Sequence, residues 1–330
     1  MSFDIHKIAT TVMKLFHFRH LLSFKNNKSQ LPLLTDQEIL DLLLRVQNKK
    51  RTQAHKYDIS HRRFGDTRSI YRGYGIDYEE SRHYVPGDDP RYMNWQLTAR
   101  TGKHFMKVYR EERQPGVFIL IDRRPSMRFG TQTNLKITQA VRAAAIAAFK
   151  AQQNNLSVGG LILDDELEWF KESQSKHAIF NFIQRASQPA AAVYDTQSND
   201  EINFNDVLKT LKEVLSKEIG SYIYLISDFY DLDEQSRPIL LELATTHQMQ
   251  AIHITDMAEI KLPDIGSINF KSGNAKEAIT IDTHSVSDRD RYETMANEHL
   301  SLIKGAFESL AISYQEILTS SQNIEQEVIF

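Results

Sequence analysis

Val117-Phe-Ile-Leu-Ile121, followed at once by Asp122-Arg-Arg-Pro-Ser126-Met, is the stretch whose reading decides the fold. Five apolar residues without polar alternation describe a strand buried on both faces, as in the middle of a parallel sheet covered by helices. An acid closes that strand at its carboxyl end. Two later strands end the same way: Tyr222-Ile-Tyr-Leu-Ile226 runs through Ser227 into Asp228, and Ala251-Ile-His-Ile-Thr255 runs into Asp256. Ligand sites of open α/β sheets lie beyond the carboxyl ends of the strands, where the strand order reverses. Three carboxylates at one such edge repel each other unless a cation or an arginine stands among them.

Outward from this strand, the pattern alternates strand and helix. An alanine-rich helix from Asn134 to about Gln152 comes next, then strands at Ser157–Leu163 and Glu166–Phe170, helices near 175–186, 204–217 and 233–247, and a last strand at Ser313–Leu318 after a long helix from about Ser287 to Leu310. Ser267–Phe270 and Ala278–Ile281 read as a hairpin around Ser272-Gly-Asn274. Such alternation defines an α/β protein. Upstream, Thr35-Asp-Gln-Glu38 reads as a capping box opening a helix with Ile39, Leu42, Leu43 and Val46 on its apolar face. Between lies a segment dense in turn chemistry. Pro86-Gly87 suits the centre of a type II turn, and Asp89-Pro90 suits a helix cap with proline in the first position. A short helix from Pro90 to about Arg100, carrying Trp95 and Ala99 on one side, is the expectation there.

Composition narrows the function. With 330 residues, 41% hydrophobic and 25% charged, the chain has room for one large α/β domain and a smaller attached part. It has no cysteine, which excludes disulfides, thiol catalysis and cysteine-held metal, and fits a reducing cytoplasm. A net charge of −3 gives no bulk attraction to nucleic acid; the basic, aromatic-interleaved residues 45–72 are expected to pair with the acids that follow them, with nucleic-acid contact as the alternative. No run is long enough to span a membrane and the first residues lack the apolar core of a signal peptide, so cytoplasm is the expected location. The domain reading is a basic arm at 1–30, an N-terminal extension at 31–115, the main α/β domain at 116–320 and a C-terminal tail at 321–330. The arm carries Lys7, Lys14, Arg19, Lys25 and Lys28 and reads as a mobile arm or a helix packed on its own domain, with a membrane-surface helix as the alternative. Neither a Gly-x-Ser-x-Gly elbow, a phosphate-binding glycine loop nor a paired-histidine metal motif is present. A hydrolase or phosphotransferase using Asp122 as nucleophile is the competing reading, weakened because Arg124 stands where such enzymes place a second acid.

Ser69, Gly73, Gly75, Arg82, Tyr84, Pro86-Gly-Asp-Asp89, Arg91, Trp95, Ala99 and Arg100, followed by Asp122, Ser126-Met127 and Ser227-Asp-Phe229, then Leu262-Pro263, Gly266, Phe270 and Ile281-Asp-Thr283, carry a resemblance. The chain resembles family 58 of the bacterial domains of unknown function, a von Willebrand factor A-like family that couples such a domain to an upstream Pro-Gly-Asp-Asp signature. The resemblance implies a mostly parallel six-stranded sheet in the order 3-2-1-4-5-6 with the third strand antiparallel, so that the strands ending at Asp122 and Asp228 lie side by side. It further implies a non-enzymatic adaptor working with a MoxR-type AAA+ ATPase or its client, with Arg82, Asp88, Asp89, Arg91, Trp95 and Arg100 as candidates for partner contact.

The family's metal-ion-dependent adhesion site uses Asp-x-Ser-x-Ser, a threonine and a further aspartate, hard oxygen donors suited to magnesium. Here the resemblance leaves Asp122, Ser126 and Asp228, with Arg124 in place of the first serine and Ile202 in place of the threonine. A guanidinium is always charged and offers no lone pair to a metal. An inward-pointing Arg124 therefore substitutes for the cation by pairing with Asp122 or Asp228, and no cofactor is expected; weak magnesium binding is the alternative if Arg124 turns to solvent.

Overall fold

The computed structural model describes residues 32–53, 77–110, 115–132, 134–190, 202–216, 219–270 and 279–328. The basic arm and most of the basic stretch at 45–72 lie outside these residues. The described residues divide into two compact units, a larger one that includes 32–53 and the described residues from 115 onward, and a smaller one that includes 77–110. The elements are α1 (Asp36–Gln53), β1 (Asp77–His83), α2 (Trp95–Thr101), β2 (Phe105–Arg110), β3 (Val117–Asp122), α3 (Lys136–Gln153), β4 (Val158–Leu163), β5 (Leu167–Ser173), α4 (Lys176–Ala186) and α5 (Phe204–Leu215). They continue with β6 (Tyr222–Ser227), α6 (Ser236–Thr246), β7 (Gln248–Thr255), α7 (Met257–Ile260), β8 (Ser267–Phe270), β9 (Ile279–Asp282), α8 (Val286–Glu308) and β10 (Ser313–Leu318).

In the larger unit six strands form one sheet in the order β10-β7-β6-β3-β4-β5, with β5 antiparallel to β4 and the other neighbours parallel. Counted along this sheet alone, the order is 3-2-1-4-5-6, as the family resemblance implies. β3 is central, and its six residues are all buried. The pleat sorts them: Val117, Ile119 and Ile121 join the core that contains α1, α3 and α4 residues, while Phe118 and Leu120 join the opposite core with α5, α6 and α8 residues. Alanine brings α3 close to the sheet; Ala140, Ala143, Ala144, Ala147 and Ala148 have no exposed surface. On β4, Gly160 leaves room for the Phe182 ring, whose nearest atom would stand 2.3 Å from an added Cβ.

The extension expected at 31–115 is divided, because its first helix packs with the larger unit. The capping box at Thr35 and Glu38 forms, with Thr35 N donating to Glu38 Oε2 at 2.8 Å and Glu38 N to Thr35 Oγ1 at 3.3 Å. The helix it opens belongs to the larger unit, because Ile39, Leu42 and Val46 are buried in the same core as α3. At the other end, Ile324 and Val328 enter that core too, and Lys150 Nζ donates to the carbonyls of Glu325 and Val328. Residues 321–328 are thus packed structure.

The smaller unit contains a ladder that the turn-rich sequence did not disclose: β1 and β2 pair antiparallel, with a bulge between Tyr78 and Glu80. Alternation is weak in Asp77–His83, where charged residues predominate, so no strand period stands out. The type II turn holds, with Gly87 at φ +109 and Asp88 N bonded to Val85 O at 3.0 Å. The single helix expected from Pro90 to Arg100 is instead a 3₁₀ turn at Pro90–Tyr92 and then α2, separated where Met93 bridges to Met106. Asn94 restarts the helix, its side chain accepting from Leu97 N at 3.2 Å, and Gly102 ends it at φ +68.

Candidate functional site

Parallel pairing of β3 and β6 sets Ile121 opposite Ile226, so Asp122 and Ser227 leave the sheet as neighbours. Ser227 Oγ donates to Asp122 Oδ2 at 2.6 Å. Both side chains are fully buried. An isolated carboxylate in such a place costs several kcal/mol, roughly, and needs a counter-charge.

Arg124 supplies it. The chain turns through a 3₁₀ turn at Pro125–Met127, and the guanidinium folds back with only 2% of its side chain exposed. Nε lies 3.1 and 3.2 Å from the two Asp122 oxygens, and Nη2 lies 2.8 Å from Oδ2. The other edge meets Asp231, with Nη1 at 2.6 Å from Oδ2 and Nη2 at 2.9 Å from Oδ1. Nη1 also donates to the Ile202 carbonyl at 3.2 Å. All five N–H groups of the fork have acceptors. Tyr230 lies against its face, 4.8 Å from ring centre to guanidinium carbon. Burial works against the charge, yet Asp122 and Asp231 outweigh it and hold the guanidinium above its ordinary value. Burial pushes the Asp122 carboxyl up, opposed first by Arg124.

Asp228 is served by a different cation. Lys136, the first residue of α3, is buried and places Nζ 2.9 Å from Asp228 Oδ2 and 2.6 Å from Glu259 Oε1. Burial alone would raise the Asp228 carboxyl; Lys136 foremost, with Arg124 and Ser126, brings it down to about 2. The Ser126 hydroxyl is shielded from solvent and makes no hydrogen bond of good geometry. Between the two acids, Phe229 adopts φ +51, an uncommon conformation for a bulky residue. It donates its N–H to Ser227 Oγ at 3.0 Å, and its buried ring stands 4.8 Å from Phe307 and 5.8 Å from Phe204. That packing offsets the strain and carries Tyr230 and Asp231 over Arg124.

The expected pairing of Arg124 is thus realised with Asp122, and with Asp231 in place of Asp228. Asp256, grouped with the other two acids on sequence, is separate. It caps α7 in a capping box with Glu259 and accepts from Thr131 Oγ1 at 2.5 Å and Thr319 Oγ1 at 2.7 Å. Sequence reasoning missed Lys136, Tyr230 and Asp231, and gave Ser227 no part in the site. One signal was available for Lys136: a lysine in the first helical turn opposes the helix dipole and calls for an acid nearby.

The residues present do not fit a divalent cation of the adhesion-site kind. Both Asp122 oxygens and Asp228 Oδ2 already accept from cationic or hydroxyl donors of this chain. Among the described residues, no group of three or more histidines and acids is placed to hold a metal ion.

In the smaller unit the signature residues separate into two kinds. Arg82 and Asp88 form a two-pronged pair at 2.8 and 2.6 Å, and Asp88 Oδ2 also accepts from Val85 N at 2.9 Å. Asp89 caps the 3₁₀ turn, accepting from Arg91 N at 2.9 Å. Those acids build the turn. Arg91, Arg100 and Trp95 face solvent, Trp95 with 64% of its surface exposed. His253 is buried beside Tyr314 with Nδ1 2.7 Å from the phenol oxygen, and burial lowers its pKa to about 3.

Strand order, the antiparallel edge at β5 and an acid-lined switch point define a von Willebrand factor A-like α/β protein. The chain belongs to the family described as "Protein of unknown function DUF58", whose sequence model matches residues 80–301. Curated relatives include the uncharacterized proteins Rv1480 of Mycobacterium tuberculosis (strain ATCC 25618 / H37Rv) and Mb1516 of Mycobacterium bovis, each 29% identical over 220 residues. The match takes in 64% of this chain and spans 66% of the length of those relatives. Among solved structures, BatB from Bacteroides thetaiotaomicron is similar at 10% identity and a TM-score of 0.35, over 60% of this chain and 99% of that one. The SpRpn10 VWA domain is similar at 13% identity and a TM-score of 0.35, over 65% and 93%. Among the described residues no helix is long and apolar enough to cross a membrane.

Proposed function

We propose that this protein is a non-enzymatic interaction module that works with a MoxR-type AAA+ ATPase or its client, using the carboxyl edge of the sheet and the signature unit as contact surfaces. The observation that carries this reading is the complete occupation of Arg124 by Asp122, Asp231 and the Ile202 carbonyl. A nucleophilic carboxylate must reach its substrate, and Asp122 has no exposed surface and is bonded on both oxygens. The same occupation supports a site that works without metal. We place the protein in the cytoplasm, where an ATP-driven partner has its nucleotide and where a chain without cysteine loses nothing to the reducing conditions.

The test is affinity purification of the tagged full chain from its own cells, with ATP hydrolysis blocked to trap the nucleotide-bound ATPase. Specific recovery of a MoxR-type ATPase is the expected result. Its absence under trapping conditions overturns the assignment.

A further inference from the structure

Cations in the two units have opposite standing. At the sheet edge every donor of Arg124 is spent inside the chain, and Lys136 is held by two acids. Neither can take up a partner's carboxylate without opening a buried pair. In the smaller unit Arg91, Arg100 and Lys103 are exposed, and none forms an ion pair among the described residues. Residues 91–103 hold these three cations and no acid.

The same short stretch displays aromatic surface. Trp95 is 64% exposed and Tyr92 49%, and neither the 3₁₀ turn nor α2 contains a single buried residue. A helix of seven residues in which Leu97 and Thr98 are only half-buried has little stability of its own. It is held by backbone and cap bonds instead: Asn94 N to Phe105 O at 2.7 Å, Phe105 N to Thr98 Oγ1 at 3.1 Å, and the caps at Asn94 and Gly102. This keeps Trp95 in place before anything binds. Exposed tryptophan and tyrosine beside exposed arginines is the composition that dominates binding energy at protein interfaces.

We propose that residues 91–103 form the docking face for an acidic protein segment with an apolar anchor, Trp95 and Tyr92 receiving the apolar side chain and Arg91, Arg100 and Lys103 its carboxylates. This rests on the reading of the protein as an interaction module and names the chemistry of the partner. A nucleic-acid strand fits less well, because Asp88 and Asp89 stand directly before the face and the positive excess is only three charges.

The chain has two tryptophans, Trp95 and Trp169, so Trp169→Phe in the full chain leaves Trp95 as the sole reporter. A short glutamate-rich peptide carrying leucines is titrated against it, with a lysine-rich counterpart, single-stranded oligouridylate and phosphatidylglycerol vesicles as comparisons. The expected result is a saturable blue shift of Trp95 emission with the acidic peptide only, weakened by salt and by at least about tenfold in Arg91→Glu/Arg100→Glu. Denaturation curves confirm that the variant folds. No saturable shift, equal binding of oligouridylate or vesicles, insensitivity to charge reversal, or an emission already blue-shifted in the free chain overturns the proposal. Co-purification of the ATPase without peptide binding overturns this inference and leaves the adaptor reading standing. Peptide binding without the ATPase supports the inference and removes that reading.

Discussion

Two arginines of this chain grip a carboxylate with both prongs, and the surroundings make them different objects. Arg124 and Asp122 expose 2% and 0% of their side chains, whereas Arg82 and Asp88 expose 46% and 19%. In the first case water is gone, so either charge alone is intolerable and the pair acts as one unit. In the second, water stands ready to replace the partner. The lesson is that the Arg124–Asp122 cluster beneath the sheet edge is closed and self-neutralised while the Arg82–Asp88 pair lies open to water, although their chemistry looks alike on paper.

The comparison breaks most readily at Arg124. Arg124→Met strands Asp122 in the core and is expected to destabilise the larger unit by about 3–5 kcal/mol, measured by urea denaturation. Combining it with Asp122→Asn removes the stranded charge and recovers part of the loss. If the single variant costs no more than an ordinary surface substitution, water or another group reaches Asp122 and the site is open after all.

Lys136 sharpens it through pH. The Asp228 carboxyl is depressed to about 2 in the folded chain, against roughly 3.9 when unfolded. A depressed carboxyl contributes stability that is present above the unfolded value and is lost as pH falls toward the folded one. Stability from this group, on the order of 2 kcal/mol, is therefore expected to vanish between about pH 4 and pH 2. In Lys136→Met the carboxyl is no longer held down, so the variant is weaker at neutral pH and this acid-dependent loss shrinks. An unchanged acid limb in the variant would show that Lys136 is not what holds Asp228.

Much of this was legible in sequence, and the part that was not has a physical reason. The unbroken apolar run at Val117–Ile121 reads as a central parallel strand, and the family resemblance supplies the strand order that sets the strands ending at Asp122 and Asp228 side by side. The family resemblance, which sets Arg124 in place of an adhesion-site serine, raised the expectation of an internal cation. What remained hidden depends on three-dimensional closure: Asp231 reaches Arg124 past the positive-φ turn at Phe229, and Lys136 reaches Asp228 across 92 residues of sequence. The β1–β2 ladder escaped because charged residues fill Asp77–His83 and leave no period of two. Asp256 misled for the opposite reason. It shares the strand-end position of the other two acids, and the Asp-x-x-Glu259 spacing that marks it as a cap carried less weight than that position.

The smallest effect is expected at Arg82. Its two nitrogens hold Asp88, yet Asp88 also accepts from Val85 N and thereby closes the Pro86-Gly87 turn without help. Arg82→Ala removes the exposed pair and leaves the turn bond, so the unfolding midpoint followed by Trp95 emission in the Trp169→Phe background should stay within measurement scatter. Asp88→Ala removes both the pair and the acceptor for Val85 N, and its loss should exceed that of Arg82→Ala. Were the two losses equal, the ion pair rather than the turn would be what shapes the signature segment, and the contrast between an obligatory buried pair and a dispensable exposed one would fail at its second term.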